Sequence, residues 1–176
     1  VYVPTVVLTN VGPTFLTANW NEVTDASTYQ IQIGSDTNFS TATIGSNLLN
    51  ETFATLTDST VPSGWSSSHS SDLDSTVYYG AARPSFKFNA TGQWLQSPTF
   101  ATGATNLQFW AYSRNGSGST IAISGLVSGV WTLIDTVSIA RNGATYVVPF
   151  TPQVTQLKFV FTRLYTVYFD DVAVQS

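Results

Sequence analysis

Phe169-Asp170-Asp171-Val172-Ala173-Val174 sets two adjacent carboxylates inside an apolar run, and Asn50-Glu51-Thr52-Phe53, far upstream, sets a third in similar surroundings. Only 9% of the residues are charged, so each acid needs a reason. A carboxylate removed from water without a cation or hydrogen-bond donors is costly. Two acidic motifs in strand-like settings therefore predict that the first and last strands of one β-domain lie side by side and share a cation.

Working outward from these motifs, the pattern is β throughout. Apolar and polar residues alternate in Tyr29-Gln30-Ile31-Gln32-Ile33, Ser85-Phe86-Lys87-Phe88, Leu107-Gln108-Phe109-Trp110-Ala111-Tyr112, Trp131-Thr132-Leu133-Ile134 and Leu157-Lys158-Phe159-Val160-Phe161. Period two is the signature of strands with one buried face. Between them stand turn-formers such as Pro62-Ser63-Gly64, Asn115-Gly116-Ser117-Gly118 and Arg141-Asn142-Gly143. No segment carries a helical face. Many short strands at this spacing predict an all-β fold, a sandwich or jelly roll.

Composition narrows the function. The net charge of −4, the pI near 4.5 and the absence of any Lys or Arg before Arg83 argue against nucleic acid, which needs clustered cations. No apolar run approaches the roughly 20 residues of a membrane helix, so membrane insertion is not expected. Cysteine is absent, which removes disulfides and thiolate chemistry together. A chain that opens Val1-Tyr2-Val3-Pro4 and has no methionine reads as a processed product or a fragment. Abundant Ser, Thr and Asn fit a secreted or cell-surface, extracellular location.

Residues 1–46 and 47–176 differ in pattern. Ala18-Asn19-Trp20-Asn21 and Ala26-Ser27-Thr28-Tyr29 resemble the second and third strands of a fibronectin type III domain, whose later strands do not follow; 1–46 is read as a partial fibronectin-like β segment. In 47–176, Glu51-Thr52-Phe53, Pro62-Ser63-Gly64-Trp65, Tyr79-Gly80, Ser97-Pro98-Thr99-Phe100, Trp131-Thr132-Leu133-Ile134-Asp135-Thr136 and Phe169-Asp170-Asp171-Val172 together resemble the cleaved-adhesin or choice-of-anchor domain of Bacteroidetes surface proteins. That resemblance implies a carbohydrate-module-like jelly-roll β-sandwich, often bearing a structural calcium ion near its paired ends.

Calcium is the chemistry best matched by residue type, because Ca²⁺ takes 6–8 oxygen ligands in irregular geometry. Glu51 with Asp170 or Asp171 supplies charge, and Asn50 with backbone carbonyls completes the shell. Strand neighbours point to opposite faces, so one aspartate alone is expected to face the ion. The competing reading makes Glu51 a solvated edge residue and the Asp pair a turn closure.

No catalytic residues are expected. His69 sits in a Ser-rich stretch, Ser66 to Asp74, that reads as a surface loop, and no two carboxylates form a suggestive hydrolytic pair. Aromatic residues are the other candidate material, since sugar rings stack on flat apolar faces. Trp94 with Gln96, and Tyr79, Trp65 and Tyr112, fall near turns or strand ends and are the candidate ligand contacts. Trp20, Trp110 and Trp131 lie within strand patterns and are expected in the core.

Two function classes follow. The first is a non-catalytic adhesion or glycan-binding module whose partners are glycans or other surface proteins. The second is a self-assembling subunit of an extracellular filament or surface layer, in which a neighbour completes the open edges of the N-terminal sheet.

Overall fold

The computed structural model describes residues 6–9, 17–20 and 47–176. The chain forms two compact units, Val1–Ile44 and Gly45–Ser176. In the first, β1 (Val6–Thr9) pairs antiparallel with β2 (Thr17–Trp20), Val6 opposite Trp20. The third strand expected at Tyr29–Ile33, and with it the fibronectin-like reading, lies outside the described residues.

The second unit is all-β, as the alternation predicts. Its strands are β3 (Asn47–Glu51), β4 (Ser66–Ser67), β5 (Asp74–Ser75), β6 (Ser85–Phe88), β7 (Trp94–Gln96), β8 (Ala104–Ser113), β9 (Ser119–Val127), β10 (Val130–Ile139), β11 (Ala144–Val154), β12 (Leu157–Thr162) and β13 (Val167–Gln175). They form two antiparallel sheets. One is five-stranded, β10-β9-β12-β7-β4; the other is six-stranded, β11-β8-β13-β6-β5, with β3 also on β13.

Alternation gives each sheet one apolar face. Ile121 and Ile123 of β9, Leu157, Phe159 and Phe161 of β12, and Leu107 and Phe109 of β8 are fully buried, while the residues between them are not. A chain with no methionine fills the space with phenylalanine. Phe169 lies at the centre, its ring 4.9 Å from Phe159, 5.0 Å from Phe109, 6.0 Å from Phe88 and 6.2 Å from Phe53.

Phe169 belongs to β13, which organises the six-stranded sheet. On one side β13 pairs first with β6, over Val167 to Phe169, and then with β3, where Val172 faces Glu51. First and last strands of the unit are thus neighbours. On the other side β13 runs along β8 with a break in register between Asp170 and Ala173. This is a β-bulge: Asp171 and Val172 together oppose Phe109, and Asp171 takes a left-handed φ of 48°. The bulge has a packing purpose. Strict alternation after Phe169 would send Asp171 into the core; the extra residue lets Val172 and Val174 point inward instead, both fully buried.

Phe169→Ala removes the ring that joins both sheets. A loss of about 3–5 kcal/mol in unfolding free energy is expected, read by denaturant titration; a loss below 1 kcal/mol would show that the core does not converge on this residue.

Candidate functional site

The bulge brings both aspartates to one segment. Asp170 is fully buried, and its Oδ2 accepts from the Gly80 N–H at 2.8 Å while its Oδ1 accepts from the Asp171 N–H at 2.8 Å. Asp171 Oδ2 accepts from the Ala81 N–H at 2.7 Å. Both carboxylates thus reach the backbone of residues 80 and 81, because simple alternation fails at a left-handed bulge residue. Gly80 is required by the close approach: a Cβ there would sit 2.1 Å from Asp171 Oδ2.

Glu51 turns the other way. Its Oε1 accepts from the Phe53 N–H at 2.7 Å and its Oε2 from the Trp65 indole N–H at 3.1 Å, which holds the chain where Phe53 has a φ of 51°. Asn50 is exposed one residue before it, on the opposite face of β3. The three acids remain near enough to interact. Burial pushes the Asp170 carboxyl up from 3.8 to about 6, against the Gly80 and Asp171 N–H bonds, and the Asp171 and Glu51 carboxylates push it in the same direction. Among the described residues the one ion pair is Lys87–Asp72, elsewhere in the fold, so no basic side chain neutralises this clasp. No three acidic, imidazole or thiol side chains gather there around a single point. A hard cation would take the Asp170 and Asp171 carboxylates plus backbone oxygens, a donor set of the kind calcium accepts.

The aromatic candidates separate onto different surfaces. Trp65 is buried, with its ring 5.3 Å from Phe53 and 6.5 Å from Phe159; it is a core residue whose polar end is satisfied by Glu51. Tyr112 lies on the outer face of the six-stranded sheet, stacked on Tyr78 at 4.8 Å and 9° and aligned with Trp110 at 6.3 Å. Tyr79 is exposed beside Gly80.

Trp94 and Gln96 flank the buried Leu95 and so face outward from the five-stranded sheet. There the structure adds two residues. Lys158 of β12, opposite Gln96, places its Nζ 4.5 Å from the Trp94 ring centre and 5.9 Å from that of Trp131. Trp131, expected in the core, is 39% exposed because it shares the outer face with Leu133, Ser124 and Lys158. Alternation in sequence marks a strand but not whether a second sheet covers it. Ser124, Ala122 and Val160, which share this outer face, bring no charge to it.

His69 is half-buried with its Nε2 3.3 Å from the Lys87 carbonyl and its ring against Phe86; burial lowers its pKa. Its surroundings are not a loose loop, since β4 and β5 bracket the stretch and Leu73 is buried.

No protein-family model matches this chain, and no curated protein matches it. Solved structures do. The K3 cleaved adhesin domain of Lys-gingipain from Porphyromonas gingivalis superposes with a TM-score of 0.58 at 13% identity, over 74% of this chain and 100% of that one. The K2 cleaved adhesin domain of Lys-gingipain gives 0.58 at 15%, over 73% and 99%. The CBM22-1-GH10 modules of a Clostridium thermocellum endo-1,4-β-D-xylanase, complexed with xylohexaose, give 0.51 at 14%, over 73% of this chain and 28% of that one. At these identities the likeness establishes the fold alone: the second unit shares the β-sandwich architecture of these domains.

Because the folded state raises the Asp170 pKa, it binds more protons than the unfolded chain between about pH 4 and 6, and stability falls as pH rises through that window. In metal-free buffer, the stability of the wild type relative to Asp170→Asn should therefore decline from pH 4 to 7, by up to about 1.4 kcal/mol per pH unit. A constant difference across the window would refute the strained carboxylate.

Proposed function

We propose that residues 47–176 form a non-catalytic adhesion or glycan-binding module of a secreted or cell-surface protein, with its contact face on the outer side of the five-stranded sheet. The observation that carries this is Lys158 set between Trp94 and Trp131, with the uncharged Ser124, Ala122 and Val160 around it. Indole faces take the apolar C–H surface of a sugar ring, while the Lys158 ammonium and the Gln96 amide offer hydrogen bonds to its hydroxyls. Exposure of Trp131 beside the half-buried Trp94 makes the surface broad and shallow, suited to a chain of sugars or a flat protein epitope rather than to an enclosed small molecule. The xylanase neighbour was solved with xylohexaose, which makes that oligosaccharide the first ligand to try here.

Calcium belongs to the same proposal. The metal supplies a positive charge to the Asp170 and Asp171 carboxylates, which have no basic partner, and these two residues would hold it, with Glu51 nearby but committed to Phe53 and Trp65. Asn50 stays outside. The ion's role is structural: it joins the 80–81 loop to the strand that closes the sheet.

Titration calorimetry with xylohexaose should show binding that weakens at least tenfold in Trp94→Ala and in Lys158→Ala. A glycan array that stays blank for the wild type would leave adhesion through protein contacts. For the ion, the melting midpoint should rise by several degrees from EDTA to millimolar calcium, as expected for a ligand that binds only the folded state, and the rise should vanish in a Asp170→Asn, Asp171→Asn double variant. Equal midpoints with and without calcium would remove the metal from the account.

A further inference from the structure

Unpaired strand edges recruit further strands, and proteins normally blunt them with brevity, proline or charge. Among the described residues of the second unit, the free edges differ sharply in this respect. β4 and β5 are two residues long. β3 has five, among them Asn47, Asn50 and Glu51. β11 carries Pro149 and Pro152, which have no N–H to donate. β10 is the longest edge with neither proline nor a basic residue: ten residues, Val130–Ile139, with Asp135 as its one charge, regular from Val130 to Leu133 and bulged between Leu133 and Asp135. Its N-terminal half is also the densest apolar exposure on the unit, with Val130 at 65%, Trp131 at 39% and Leu133 at 62%. Beneath it an open groove of about 580 Å³ runs between the sheets, lined by Ile134, Phe150, Val154 and Val127. The sequence reading placed an open edge in the N-terminal segment; the described residues place one here.

We propose that β10 pairs antiparallel with β10 of a second copy of this chain, about a two-fold axis at Thr132. The backbone chooses this register. β9 and β10 are joined by the two-residue turn Ser128-Gly129, and Val130 faces Val127. The narrow pair that closes such a hairpin turns the peptide groups of Val130 and Thr132 toward β9 and leaves those of Trp131 and Leu133 facing out. With the axis at Thr132, the free N–H and C=O of Trp131 meet those of Leu133 in the second copy, and the reverse.

Side chains agree with the backbone. Trp131 lies beside Leu133 of the second copy on the outer face, where the strand is regular, and the ladder ends at the bulge that holds Ile134, next to Val130 of the second copy. Asp135 falls opposite Gly129, outside the ladder, whereas an axis at Asp135 would set two carboxylates against each other. This self-complementarity favours a second copy over a charged partner, for which the edge offers no basic residue at all. An isologous contact of this kind closes on itself as a dimer and does not propagate as a fibre.

Sedimentation equilibrium of the full chain from about 1 μM to 1 mM tests this. The wild type should approach twice its 19.0 kDa mass as concentration rises. Thr132 is exposed, so its replacement leaves the core intact, which an unchanged melting curve would verify. Thr132→Lys and Thr132→Glu each set like charges face to face at the axis and should sediment as monomers, weakening association at least tenfold. Mixed in equal amounts, the two variants should dimerise again. A wild type that stays at 19.0 kDa throughout, or single variants that dimerise like the wild type, overturns the proposal; wild-type dimers without rescue in the mixture overturn the register.

Discussion

A carboxylate with no exposed surface fixes the backbone at the middle of this fold. Asp170 sits where β13 changes partner from β6 to β3, and at that changeover the ladder on one side is interrupted. Its oxygens take up the Gly80 and Asp171 N–H groups, which no strand partner would otherwise satisfy. In doing so it fixes the bulge, the bulge sets the inward phase of Val172 and Val174, and that phase decides which residues of β3 meet the core. Gly80 is the counterpart of this arrangement, since a Cβ there would displace the Asp171 carboxylate from its place against the 80–81 backbone.

The strands themselves were legible because period-two patterns reflect burial directly, and the pairing of the first and last strands was legible because an acid in a charge-poor chain needs a reason to be there. The bulge was harder to see. Its trace in sequence is the spacing of Phe169, Val172 and Val174, three and then two, which read as ordinary alternation interrupted by two acids. Trp65 was misplaced because a turn next to Pro62-Ser63-Gly64 suggests exposure, while the structure folds that turn back so that the indole closes one end of the core onto Glu51. Trp131 was misplaced in the opposite sense: the pattern marks a strand, but which of its two faces meets the second sheet is a property of topology that no local window contains.

The candidate contacts divide by sheet, and the two faces differ in character. On the six-stranded sheet, Tyr78 covers Tyr112 and Tyr168 while Arg114 approaches Tyr78 at 5.9 Å, so the rings there are spent on one another. On the five-stranded sheet, the Lys158 ammonium stands between two indoles with no acid opposite it. A fold leaves recognition to such local chemistry, and it is the second face that has chemistry to spare.

The antiparallel pairing of β3 with β13 also sets how the module responds to tension. Asn47 and Gln175 are directly opposed at one end of the ladder, so a pull applied through them opens the two strands like a zipper, breaking their hydrogen bonds in succession instead of shearing them all at once. Residues 47–51 would peel first, and peeling stops at the Glu51 contacts to Phe53 and Trp65. Glu51 thus acts as the mechanical stop of this ladder, and a module loaded in this direction yields a short, soft extension before the core itself is strained.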